Sequence, residues 1–161
     1  MDELQRRSFA CVPEAARRII QEQVRSGGDA VPWLHMERYS TLMLQNSIGD
    51  YLMHASATSV TFFDRGILDS ITHFRIAGLS LPNEALLLAQ RYRYNPSVFL
   101  FPPWEEIYHT DSERKQSFEE SVATYRVIQE VYIEYGYRLL EVPVASVPER
   151  ADFILCSILA T

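Results

Sequence analysis

VTFFDRGILDS, from Val60 to Ser70, passes from an apolar β-branched and aromatic run through Asp64-Arg65-Gly66 into an amphipathic helical pattern. A continuous apolar run of this kind reads as a strand buried on both faces, as in a parallel sheet covered by helices. Ligands of open α/β sheets bind outside the carboxyl ends of the strands, so Asp64 and Arg65 stand where chemistry is placed. A carboxylate beside a guanidinium at that edge suits a metal-chelated phosphate. The acid holds Mg2+ or its waters, and the guanidinium forks to phosphate oxygens. Asp-Arg-Gly is equally ordinary turn chemistry for a chain leaving a core.

Working outward, three further runs have strand character: Ser8–Val12, Ser97–Phe101 and Tyr137–Val142. Helical patterns separate the four, and that alternation is the signature of a parallel α/β sheet. After the first strand, Pro13 suits a helix N-terminus. Ala16, Ile19, Ile20 and Val24 form its core stripe, and Gly27-Gly28 stops it. Helices are expected from about Met36 to Ala55, from Ile67 to Gly78, and from Pro82 to Tyr92 with Leu86–Leu88 inward. The longest helix is expected to start near Thr110, where Thr110 and Glu113 have capping-box spacing, and to end at Gly136. Ser146 and Glu149 repeat that spacing, and Ile154, Leu155, Ile158 and Leu159 dock a final helix. No linker splits the chain, so residues 1–161 read as a single domain.

Composition narrows the function. The chain has 161 residues, 47% of them hydrophobic, which is enough for a real core. Its formal charge is −6, from 15 basic and 21 acidic side chains without a basic block, which argues against a nucleic-acid partner. No apolar run is long enough for a bilayer, so no membrane partner is expected. The acidic, non-apolar start MDELQRRS is unlike a secretory signal, and a cytoplasmic location follows. Cys11 and Cys156 read as small buried thiols of a reducing compartment. His35, His54, His73 and His109 share no ligand spacing with one another or with cysteine, so no zinc or transition-metal site is expected.

Three segments combine chemistry-bearing residues. VPEAARRII, Val12–Ile20, places Glu14 and Arg17 three apart just past the first strand, either as a substrate-binding pair or as a solvated ion pair. RYRYNP, Arg91–Pro96, precedes the third strand, and packed tyrosines with solvated arginines explain it best. FPPWEEIYHTDSERKQSFEE, Phe101–Glu120, follows the third strand at the functional edge, with Arg114 and Lys115 in the first turn of the expected helix. Cations there oppose the helix dipole, a broken local rule that hints at neutralising a transferring phosphoryl group. Neighbouring Asp111, Glu113 and Glu119 offer a bland compensation instead.

In order and spacing, VPEAARRII, FFDRGILD and FPPWEEIYHTDSERKQSFEE resemble the bacterial AAA-domain predicted ATPases. These belong to the kinase-like branch of P-loop NTPases that also contains nicotinamide ribonucleotide kinase domains. The resemblance covers nearly the whole chain. It implies a three-layer α/β/α fold with a parallel sheet, ATP (or GTP) with Mg2+ as cofactor, and a basic lid over about residues 102–118. It implies catalytic roles for Asp64, Arg65 and Arg114, with Asp64 near Mg2+ through water or near the phosphoryl acceptor. Arg114 and Lys115 match nucleotide-binding lid residues, and Glu14 and Arg17 match the substrate side. The implied partners are the nucleotide and an unidentified small-molecule acceptor.

One departure is large. The family begins with a strand, a GxxGxGK[ST] phosphate loop and a helix, whereas no glycine here precedes Lys-Ser or Lys-Thr, and Lys115 is the sole lysine. Without that loop no nest of amides cradles the β-phosphate. MDELQRRSF resembles the tail of the helix that follows the loop, and the expectation is a fragment of a longer product with little or no catalysis. The absent strand would lie between the strand ending at Asp64 and that starting at Ser97, leaving unpaired strand edges open to self-association. The rival expectation is a non-catalytic, degenerate nucleotide-fold protein that binds a partner by strand addition.

Overall fold

The alternation of apolar runs and helical patterns produces parallel ladders joined by helical crossovers. The computed structural model describes residues 1–108 and 117–159. In chain order the elements are α1 (Asp2–Arg6), β1 (Ala10–Val12), α2 (Ala15–Ser26), α3 (Met36–His54), β2 (Thr61–Phe63), α4 (Ile67–Ile76), α5 (Asn83–Arg91), β3 (Ser97–Leu100), α6 (Phe118–Glu134), β4 (Arg138–Glu141) and α7 (Val147–Leu159), with a 3-10 turn at Glu105–Ile107. They fall into two compact units, Ala10–Arg93 and the pair of segments Met1–Phe9 and Tyr94–Thr161. Each unit holds one two-stranded parallel sheet, so the α/β class and the parallel pairing follow the expectation.

In the Ala10–Arg93 unit, β1 and β2 pair with Ala10 opposite Thr61, Cys11 opposite Phe62 and Val12 opposite Phe63. The ladder continues one bond further, where Asp64 N–H donates to the Val12 carbonyl at 2.8 Å. The expected full burial of β2 is corrected: Thr61, Phe62 and Phe63 are each only partly buried. A three-residue strand in a two-stranded ladder has too little neighbouring structure to cover both faces. The core gathers on the helices instead. Ala15, Ala16, Ile19 and Ile20 of α2 pack with Tyr39 and Met43 of α3, and α4 buries Ile67, Leu68, Ile71 and Phe74. The α2 stripe ends before Val24, which is exposed. Gln23 faces inward in its place, its carboxamide oxygen accepting the Ala30 N–H at 3.2 Å. Gly27, at φ +70°, closes the helix in the left-handed conformation that glycine adopts without strain.

Helix α5 turns a different face inward than its leucines suggest. Ala85 and Ala89, four apart, are buried, whereas Leu86 and Leu87 are exposed. Small residues let the helix backbone approach its neighbours, and this placement turns Leu86 and Leu87 outward while Leu88 is partly buried.

In the second unit, β3 and β4 pair from Ser97 opposite Arg138 to Leu100 opposite Glu141. Leu100, Ile128, Val131, Tyr132, Tyr137, Val142, Ala151 and Ile154 supply its buried side chains, and Leu4 of α1 is buried as well. Helix α6 opens with a reciprocal capping box: Glu120 N–H donates to Ser117 Oγ at 3.2 Å, and Ser117 N–H donates to the Glu120 carboxylate at 2.6 Å. The capping pair expected at Thr110 and Glu113 lies outside the described residues. At 19 residues α3 is the longest helix described, ahead of α6 at 17. The second expected box holds, since Glu149 accepts from Ser146 N–H at 3.0 Å and from its hydroxyl at 2.6 Å. Leu159 is exposed at the end of α7. Cys156 is exposed too and Cys11 partly buried, which corrects the reading of both as buried thiols.

Candidate functional site

Because Val12 and Phe63 are register partners, β1 and β2 end at the same level, and the residues that follow them leave the same carboxyl edge. Glu14 is the N-cap residue of α2, and Asp64 and Arg65 lead from β2 into α4. Arg65 adopts φ +74°, a left-handed conformation rare for a side chain of its size. Such a backbone persists only where its surroundings determine it.

Those surroundings centre on Asp69. This carboxylate is 7% exposed, and it accepts the Gly66 N–H at 2.8 Å and Arg65 Nη1 at 3.3 Å. One side chain thus closes the first turn of α4 and holds the guanidinium. Arg65 Nε lies 3.9 Å from Glu14 Oε1, and the Arg65 side chain is 41% exposed. Desolvation disfavours the Arg65 charge, but Asp69, Glu14 and Asp64 together outweigh it and raise the pKa. The guanidinium is cationic throughout the working pH range.

Behind this edge lies a layer that sequence reading missed. His73, one turn beyond Asp69, meets the buried Tyr39 edge-on with ring centroids 5.8 Å apart. Burial lowers the His73 pKa, with Asp69 opposing and Arg65 reinforcing that shift. The Tyr39 hydroxyl is pushed up to about 12, first by burial and then by Glu14, with Arg65 opposing. The spacing Arg65, Asp69, His73 at successive helical steps was the available signal. Tyr39 had none, since its proximity arises from the packing of α3.

Tyr39 provides a test of this layer. Its hydroxyl holds its proton more tightly folded than unfolded, so the stability it contributes is intact below pH 10 and is lost as pH rises toward 12. Alkaline unfolding of the wild type should therefore steepen across that window, and Tyr39→Phe should flatten it. An unchanged profile in the variant would remove Tyr39 from the cluster.

The other expected site residues fare differently. Arg17 is exposed in the first turn of α2, and Glu14 Oε1 stands 3.9 Å from Arg65 Nε. Asp64 is exposed at the edge. Arg114 and Lys115 lie outside the described residues. In the Arg91–Pro96 segment, Tyr92 packs against Tyr51 at 5.3 Å, and Arg91, though exposed, stands over the Tyr92 ring at 5.7 Å. In the other unit, Arg150 stands over the rings of Phe101 and Trp104 at 5.7 and 5.9 Å.

The edge suits Mg2+ better than it suits a triphosphate. Mg2+ uses one or two carboxylates and takes its remaining ligands from water and phosphate, and Asp64 presents an exposed carboxylate at this edge. Among the described residues no three His, Cys, Asp or Glu side chains converge into a preformed metal cage. A phosphate loop supplies an amide cradle for a triphosphate, and no glycine of the sequence is followed by Lys-Ser or Lys-Thr. Among the described residues no helix is long and apolar enough to cross a membrane.

Residues 1–150 match the family profile described as AAA domain, and the chain belongs to that family of P-loop-type NTPases. No curated protein and no solved structure matches it.

Proposed function

We propose that this AAA-domain chain is the acceptor side of a Mg2+-dependent, kinase-type P-loop domain, and that these 161 residues alone turn over no ATP. The observation that carries this reading is the shared carboxyl edge of β1 and β2, where Glu14, Asp64 and Arg65 leave the ladder beside the buried Asp69. Asp64 would hold a Mg2+ water, and the ion would neutralise phosphate charge. Arg65 would contact a phosphate or the acceptor, Glu14 and Arg17 would border the acceptor, and Arg114 and Lys115 would serve the lid. The fold would be the three-layer α/β/α sandwich of the kinase-like P-loop domains. The acceptor is a small molecule, and ATP or GTP is the donor.

The test has two parts. Phosphate release from ATP or GTP with Mg2+ is expected to stay at the uncatalysed level, and turnover lost on Asp64→Ala would overturn the proposal of inactivity. In an amide-resolved NMR titration, Mg2+–ATP is expected to shift the resonances of Glu14 and Asp64–Asp69, and to lose that effect in Arg65→Ala. Shifts confined to other residues would overturn the site.

A second reading has its own observation: each described strand has one ladder partner, in a two-stranded sheet. That supports a partner-binding module which adds a strand. A solution mass of 18.6 kDa by light scattering favours the first reading, and a stable oligomer through β2 or β3 favours the second.

A further inference from the structure

A guanidinium offers five N–H donors arranged in a rigid fork. Arg65 spends one of them, from Nη1, on Asp69 at 3.3 Å. Its Nε stands 3.9 Å from Glu14 Oε1, an ion pair too long for a hydrogen bond. The Nε–Nη2 edge, the one that matches two oxygens of a planar or tetrahedral oxyanion, is therefore unspent among the described residues. The side chain as a whole is 41% exposed. Asp69 itself is almost fully buried and anchored on the Gly66 N–H. Of the three carboxylates that act on Arg65, Asp69 is fixed and hydrogen-bonded to Nη1, Glu14 stands off the remaining edge, and the exposed Asp64 adds its charge.

We infer that Asp69 is a positioning residue that holds Arg65 through Nη1, so that the Nε–Nη2 edge receives an oxyanion of the acceptor, with Glu14 as the competitor that this oxyanion displaces. The inference rests on the acceptor-side reading above and gives the acceptor its chemical class: a small molecule bearing a phosphate or a carboxylate. Neutral acceptors would leave the fork unpaired.

Asp69→Asn and Glu14→Gln make the test sharp, because each removes one negative charge beside the same guanidinium. Simple electrostatics predicts that both strengthen anion binding. The inference predicts opposite signs. Inorganic phosphate, titrated without Mg2+ and followed at the Arg65 and Gly66 amides, should bind the wild type. Asp69→Asn should weaken binding about tenfold, the scale of one charge-assisted hydrogen-bond geometry. Glu14→Gln should tighten it by a few fold, as expected for removing a competing charge at an exposed pair. Arg65→Lys keeps the charge without the fork and should lose about as much as Asp69→Asn. In an Arg65→Ala background the Asp69→Asn effect should vanish, which a purely structural role would not require. Acetate in place of phosphate tells which oxyanion the fork prefers, and binding of either supports the inference.

Equal or tighter phosphate binding by Asp69→Asn overturns the inference, as does weaker binding by Glu14→Gln. Should Asp69→Asn fail to fold, the Glu14→Gln and Arg65→Lys arms still decide it. If Mg2+–ATP shifts the edge while phosphate and acetate do not, the acceptor-side reading stands and this inference falls. If none of the three binds, both fall.

Discussion

Phe74→Ala should destabilise the protein by about 3–5 kcal/mol, the range for deleting a fully buried aromatic ring. Phe74 is 1% exposed in α4, among the largest of the fully buried side chains, and Ile67, Leu68 and Ile71 are buried on the same helix. The loss has two parts, the transfer of the ring's apolar surface and the cavity it leaves. Leu79 N–H donates to the Phe74 carbonyl at 3.0 Å, which ties the end of α4 to the turn at Gly78, so the backbone has little room to collapse into the void. Small domains have only about 5–15 kcal/mol of stability in total, and urea unfolding should show a midpoint much reduced at an unchanged slope. A change under about 1 kcal/mol would mean that α4 does not pack as described.

Asp69→Ala is expected to cost about 2–3 kcal/mol, by a different mechanism. The carboxylate is buried and accepts the Gly66 N–H, so its removal strands a buried donor, at about 1–3 kcal/mol. It also ends the contact with Arg65, whose left-handed backbone then has less to hold it. Arg65 can hydrate on its exposed side, which keeps the loss below that of breaking a fully buried pair. Asp69→Asn retains an oxygen for the Gly66 N–H and should lose less than half as much in the same denaturation experiment. Equal losses would mean that the charge, and not the cap, dominates.

These effects mark how far residues alone could be read. The strand at Thr61–Phe63 and the polar step at Asp64 were legible because both are local: an apolar run ends, and turn chemistry follows. Helix ends at Gly27 and Gly136 were legible for the same reason. Inward faces were less so. Ala85 and Ala89 are buried where Leu86 and Leu87 are exposed, because the fit between elements sets a face as much as hydrophobicity does.

The candidate site divides along the same line. Asp64, Arg65 and Glu14 could be named from their places after apolar runs, since position at a strand end is a property of the chain. That Glu14 turns toward Arg65, and that Tyr39 and His73 stand behind them, came only with tertiary structure. These contacts join residues from four helical or strand neighbourhoods, and no periodicity along one segment encodes them. The α/β class and the parallel order of strand and helix are readable from the residues alone. That a buried carboxylate, Asp69, holds Arg65 emerges from packing alone. Burial and the direction of a hydrogen bond depend on what surrounds a side chain, and an isolated segment carries neither.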